Sequence, residues 1–447
     1  MSKRATVLRG LTLAACATCA AALPASASAT TLFVSPSAPS APFNSCAHPA
    51  YSHIQEAVRG PGTAIHVCPG TYAEQLTIER AVAITGYGGA TVKLPAVTTN
   101  STSPCDAASQ AGDSLPDQDA VSICTAGKVT IKSLNIEAIW PGNPIEEGES
   151  CAFNLYGVLV AGGADVELAH SNITGARPHV LNGCQYGVGI QVGMSYATPE
   201  QPGTAKLVSD TVSGYDKNGI TVDGVGSQAT ITKATVTGAG EIPQTAQNGI
   251  GVQLGATATI TSSTISGNEC DLTDEPPETP CGANAMADYQ ATGVYFYEAA
   301  AGSSLAKSTL EGNDVGAEGF DSSSADPVIK YDTFEDDRYE SVQISQGSAT
   351  VANDVMKHSN VGIQLLQFAE GPFGAQAYGD DVTATNDTIE HMNDWAVLGR
   401  SDKNAKDMSG EISITHSKIS GNPGPRPLES VESENPTKLK IFAEKDS

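Results

Sequence analysis

One pattern returns along most of the chain: a glycine, then apolar residues at alternate positions, then a polar turn. It reads Tyr156-Gly157-Val158-Leu159-Val160, Tyr186-Gly187-Val188-Gly189-Ile190, Asn218-Gly219-Ile220-Thr221-Val222 and Asn248-Gly249-Ile250-Gly251-Val252. It continues as Thr292-Gly293-Val294-Tyr295-Phe296 and Val361-Gly362-Ile363-Gln364-Leu365, with Glu340-Ser341-Val342-Gln343-Ile344 as a degenerate copy. Each copy is followed by two more short alternating runs, such as Ala258-Thr259-Ile260-Thr261 and Thr264-Ile265, before a turn such as Ser266-Gly267-Asn268. The tightest copies recur about every 24 residues. A period of two means strands with one apolar face. Three such strands per repeat predict one coil of a three-sided solenoid, and a single coil cannot bury its own apolar face. About eleven or twelve coils are expected, a rod of about 50 Å at the usual interstrand spacing.

Alternation also assigns faces. Val188, Ile190, Ile220, Val222, Ile250, Val252, Val294, Phe296, Val342, Ile344, Ile363 and Leu365 are predicted to point inward. Gln191, Thr221, Asp223, Gln253, Tyr295, Tyr297, Gln343 and Gln364 then point outward from the glycine-led strand, with Glu318 beside them from a less regular coil. The ends need covers, because open sheet edges recruit other chains. Tyr51–Arg59 carries apolar residues at helical spacing behind Ser52, and predicts a capping helix with a serine N-cap. Lys438-Leu439-Lys440-Ile441-Phe442 predicts a short strand within a Pro- and Glu-rich tail over 424–447. Segments 96–120, 140–152, 194–204 and 268–290 break the repeat and are read as loops on the rod.

The first 29 residues look like an export address. Lys3, Arg4 and Arg9 precede an apolar run from Leu11 to Leu23 and a small-residue Ala27-Ser28-Ala29 cleavage pattern. A competing motif, Leu13-Ala14-Ala15-Cys16, would instead lipid-anchor the chain through Cys16. Residues 30–50 are a lead-in, and 51–423 form the solenoid. No later stretch has the length and apolarity of a membrane-spanning helix. The chain holds 24 basic and 50 acidic residues, a net charge of −26. Loss of the leader would make it more acidic still. That surface argues against nucleic acid as a partner and against bare polyanions without a bridging cation.

Beyond the leader the cysteines fall into four neighbouring pairs: Cys46 with Cys68, Cys105 with Cys124, Cys151 with Cys184, and Cys270 with Cys281. An even set in an exported chain predicts disulfides. No C-x-x-C pair supports a zinc site, so no metal is assigned. No cofactor is required by the sequence. Calcium is suggested only by the acidity of Cys270-Asp271-Leu272-Thr273-Asp274-Glu275, which lacks the spacing of a known calcium loop.

Ile54-Gln55-Glu56-Ala57-Val58, Ile65-His66-Val67-Cys68-Pro69-Gly70-Thr71-Tyr72 and Ile84-Thr85-Gly86 resemble the opening of pectin-lyase-like right-handed parallel β-helix proteins. The repeats from Gly157 to Asn422 resemble the β-helix body of that family. The resemblance implies an all-β, right-handed parallel β-helix over nearly the whole mature chain. It also implies a class containing pectate lyases, polygalacturonases, pectinesterases, alginate epimerases and non-catalytic surface proteins. None of their catalytic signatures is complete here. Gly379-Asp380-Asp381 lacks the G-H-G and R-I-K companions of polygalacturonases, and Gln118-Asp119 with Leu398-Gly399-Arg400 lacks the remaining pectinesterase residues.

Asp210, Asp332, Asp354 and Asp387 recur at one turn position, where an aspartate accepts backbone hydrogen bonds. Glu335-Asp336-Asp337 reads as a solvated charged turn. The outward stripe is the better candidate. Its glutamines Gln191, Gln253, Gln343 and Gln364 suit sugar hydroxyls, and Tyr295 and Tyr297 suit the apolar faces of sugars. The same side chains could instead serve only to brace stacked strands. The expected function is binding of extracellular polysaccharide, or another surface ligand, along this stripe. The alternatives are a polysaccharide lyase or glycoside hydrolase using Asp223 and Glu318, and a structural or adhesion module.

Overall fold

The computed structural model describes residues 31–141, 153–181, 185–243, 245–271, 291–322, 326–367, 379–401, 409–422, 428–431 and 438–443. Their strands form three parallel sheets of 14, 12 and 12 strands. A complete coil contributes one strand to each sheet, and the 14-stranded sheet has two strands more than the others. Sheet I starts with Thr31–Val34, sheet II with Thr71–Ala73 and sheet III with Leu76–Ile78. The glycine-led strands make up the body of sheet III, from Leu155–Ala161 to Val361–Gln367.

Register stacks like on like. Ile231 pairs with Ile260 in sheet I, Val212 with Val236 in sheet II, and Ile220 with Ile250 in sheet III. The inward side chains form one continuous apolar core from Val34 to Ile414. Ile190, Ile220, Val222, Ile250, Val252, Val294, Phe296, Val342, Ile344, Ile363 and Leu365 are all completely buried in it. Val188 is the exception to the predicted inward set. It pairs with Tyr156 and packs with it in a separate cluster outside sheet III. The reason lies in the glycine. Ile190, not Val188, pairs with Ile220, so Gly189 rather than Gly187 is the repeat glycine of that coil.

That glycine is required by close approach between coils. A Cβ on Gly189 would lie 2.5 Å from the carbonyl oxygen of Gly219, and one on Gly219 2.6 Å from that of Gly249. Gly157, Gly249 and Gly293 meet the next coil in the same way. Sheet I turns into sheet II through residues held at positive φ, between 53° and 62° from Ser133 to His416. The next residue is often Ser or Asp, and its side chain accepts a backbone N–H of the preceding coil. Asp332 accepts from Ser308 N at 2.7 Å, Asp354 from Asp332 N at 2.6 Å, and Asp387 from Asp354 N at 2.9 Å. Asp210 does the same for Ser171 N at 2.8 Å. Among Glu335, Asp336 and Asp337, the third departs from a solvated turn. Asp337 is fully buried and accepts from Asn313 N and Nδ2 at 3.1 and 3.0 Å.

The capping helix spans Ile54–Arg59 and buries Ile54, Ala57 and Val58 against the first coil. Its cap is not Ser52. The N-cap residue is His53, which makes no side-chain cap bond. Glu74, from the next strand connection, accepts Ile54 N at 2.8 Å and Gln55 N at 2.9 Å instead. A carboxylate there also suits the helix dipole. Lys438–Ala443 is a further strand of sheet I, paired in parallel with Ser409–Thr415. Disulfides join Cys46 to Cys68 and Cys105 to Cys124. Cys270 is disulfide-bonded, while Cys151, Cys184 and Cys281 lie outside the described residues, as do the signal segment and Cys16.

Candidate functional site

The outward face of sheet III gathers the proposed stripe into two adjacent columns. One runs through Gln191, Thr221, Gly251, Tyr295, Glu318, Gln343 and Gln364 on successive coils. The second runs two residues further along, through Asp223, Gln253, Tyr297 and Phe320. Most of these side chains are covered. Gln191, Thr221, Asp223, Tyr295, Gln343 and Gln364 are buried, whereas Gln253, Tyr297, Glu318 and Phe320 reach solvent in part.

Hydrogen bonds link the columns from coil to coil. Ser195 donates to Asp223 from its backbone N at 2.6 Å and from its hydroxyl at 3.0 Å. Gln253 Nε2 donates to Asp223 at 2.9 Å, and Tyr295 OH donates to Gln253 Oε1 at 2.6 Å. Two coils on, Thr292 Oγ1 and Gln343 Nε2 donate to Glu318 at 3.2 and 2.9 Å, and Gln364 Nε2 donates to Gln343 at 3.0 Å. Tyr295 lies flat across Gly251, where an added Cβ would fall 2.2 Å from its Cζ. Beside it, Tyr297 and Phe320 stack at 4.6 Å with 19° between their planes.

Asp223 and Glu318 are not brought together as a carboxylate pair. Three coils separate their strands, about 14 Å at the interstrand spacing. The two carboxyls of a glycosidase stand about 5–9.5 Å apart. Tyr295 lies between them and senses both charges. Burial raises the Asp223 carboxyl against the bonds from Ser195 and Gln253, and raises Glu318 against those from Gln343 and Thr292. Glu340 is the neighbour that alternation did not single out. Burial, then the charge of Glu318, pushes it up to about 8, while Arg400 pulls it down. Phe320 was equally absent from the predicted stripe. Counting alternate residues from Gly316 would have placed it outward with Glu318.

Three parallel sheets wound coil upon coil define the class, a single-stranded right-handed parallel β-helix. Within that class, residues 200–371 match the family described as the right-handed β-helix region. The Agl-KA catalytic domain superposes with a TM-score of 0.56 at 11% identity, over 87% of this chain and 64% of that one. The chain thus spans less than two thirds of that domain. The GH136 lacto-N-biosidase from Eubacterium ramulus gives 0.50 at 10% identity, over 88% and 68% of the two chains. No curated protein matches the chain by sequence. Among the described residues no helix is long and apolar enough to cross a membrane.

Proposed function

We propose that this is a secreted protein that binds an extracellular polysaccharide along the outward face of sheet III. The ligand sits where Gln253, Tyr297, Glu318 and Phe320 come to the surface. The observation that carries this reading is the Tyr297–Phe320 stack beside a glutamine and a carboxylate. An aromatic surface accepts the apolar face of a sugar ring, and amide and carboxylate oxygens accept its hydroxyls. Tyr295 is buried beneath the patch and orients Gln253 rather than touching ligand. The lacto-N-biosidase sharing the fold agrees with a sugar ligand, although fold alone does not transfer an activity.

A panel of neutral and acidic polysaccharides tests the reading by affinity electrophoresis or calorimetry. At least one should bind, and Tyr297→Ala should weaken it about tenfold or more, consistent with loss of an aromatic anchor. No binding to any member would overturn it. The second reading, a hydrolase or lyase, is favoured by Glu340. A carboxyl held at about 8 beside a second carboxylate is suited to donate a proton at neutral pH. New reducing ends or unsaturated products, abolished in Glu340→Gln, would establish that reading.

A further inference from the structure

A second cluster of carboxylates lies outside the sugar-binding patch, where the helix Pro104–Asp113 covers the first coils of sheet III. That helix starts with a capping box in which Ser103 and Asp106 satisfy each other's backbone N–H. Its Cys105 is bonded to Cys124 on the strand beneath. Asp106 and Ser109, three residues apart, face the extended segment Asp117-Gln118-Asp119. Alternation turns Asp117 and Asp119 to the same side and Gln118 to the other, where it bonds Trp140. Asn154, paired with Asp117 on the adjoining coil, closes the box.

The polar groups here do not balance. Asp117, Asp119 and Asn154 are each at most 2% exposed. Asp117 Oδ2, both carboxylate oxygens of Asp119, and Asn154 Oδ1 have no donor within 3.5 Å in good geometry, with Ser122 and Asp106 the groups nearest Asp119 that act on it. Asp106 is already served by Ser101, Ser103 and Ser122, and it contacts both other aspartates. Among the described residues no Lys, Arg or His forms an ion pair with any of the three. Unserved acceptor oxygens on buried carboxylates are neutralised either by protons or by a bound cation. The donors are all oxygen, with no imidazole or thiolate among them, which selects a hard cation. A dry cage built from protein suits calcium better than magnesium, which retains its waters.

We propose that Asp117, Asp119 and Asn154 ligate a calcium-class divalent cation beneath the disulfide-anchored helix, with Asp106 contributing outer charge. The ion would fasten the helix to the rod. It would also steady Tyr196, whose hydroxyl meets that of Tyr156 and whose neighbour Ser195 holds Asp223.

The full chain, stripped with a chelator, is titrated with calcium alone and then with terbium as its luminescent substitute. Calcium at a hundredfold excess over its dissociation constant should raise Tm by about 3 °C. Terbium should show emission sensitised by Tyr156 and Tyr196, and calcium should quench it by competition. Asp119→Asn should lose both effects while melting no lower than the metal-free wild type, since it removes an unpaired buried charge. A surface control, Glu335→Gln/Asp336→Asn, targets the Glu335–Asp336–His358 group, in which Glu335 is half-buried and the other two exposed, and whose ligand atoms lie within 4.8 Å of one another. Retained binding in that control is expected. Absence of both responses in the wild type would mean that the carboxyls carry protons instead, and would overturn the proposal. Binding that survives Asp119→Asn would overturn it too.

Discussion

Gly251 and Tyr295 depend on each other, and the dependence can be measured. The tyrosine ring occupies the space a Cβ on Gly251 would need, and its hydroxyl is aimed at Gln253. We expect Gly251→Ala to push the ring outward and cost about 1–3 kcal/mol, the usual range for overpacking. Sugar binding should fall with it, because Gln253 loses the bond that orients it. Tyr295→Phe keeps the ring and removes only the hydroxyl, so about 1 kcal/mol is expected. Urea denaturation of both variants checks the order, and Gly251→Ala proving the milder one would show that the ring is not packed as described. At this scale the sequence is legible wherever alternation alone decides. It misled at Tyr186-Gly187-Val188-Gly189-Ile190, where two glycines compete for the repeat position. Only the carbonyl of Gly219 on the next coil selects Gly189. That contact is non-local, and no pattern within the segment carries it.

Segments that interrupt the repeat were less legible than those that obey it. The region 96–120 reads as a loop, yet it holds the helix Pro104–Asp113. The signal was present in Ser103-Pro104-Cys105-Asp106, a serine N-cap, a proline in the first turn and an acid at the third position. What the sequence could not convey is the destination of the helix. It covers Tyr156 and Val188 and so converts the first coils of an outward face into an interior. The predicted open stripe fails for a related reason. Alternation distinguishes the two faces of a strand but is silent on what lies over each. The disulfide between Cys105 and Cys124 spans 19 residues and ties the helix to sheet III. For a loop of that size a bridge contributes about 3 kcal/mol through the unfolded chain. We expect Cys105→Ser/Cys124→Ser to lose about that much in denaturant titration. Amide exchange should accelerate across 104–113 and leave the central coils from Asn218 to Phe296 protected. Uniform acceleration would mean that the helix is integral to the core rather than a cover.

Across the whole molecule, coils repeat a carboxylate as well as a fold, and this sets how the rod responds to pH. Burial at the corner between sheets I and II outweighs the backbone N–H bonds that Asp332, Asp354 and Asp387 accept. It pushes these carboxyls up to about 7, 8 and 6, and Asp210 up to about 6. Stacking adds to the effect at Asp354, which has Asp332 on one side and Asp387 on the other. All four stand above the ordinary value for an aspartate, about 3.9. The folded chain therefore holds protons that the unfolded chain releases. Their stabilisation is complete below about pH 4 and is lost as pH rises through 6 to 8. The net charge of −26 acts in the same direction, since self-repulsion grows as carboxyls ionise. We expect Tm, measured in chelator to exclude any bound cation, to fall steadily between pH 5 and pH 8.5. Neighbouring coils indicate the substitution that isolates the ladder. Ser263 and Ser308 occupy the equivalent corner, and their hydroxyls accept from Ala234 N and Ser263 N at 3.1 and 3.2 Å. Asp354→Ser should thus preserve the corner while removing its most perturbed carboxyl, and the fall in Tm should become shallower. A slope of the opposite sign would show that the accepted N–H bonds dominate over burial. An unchanged slope in Asp354→Ser would place its origin outside the ladder.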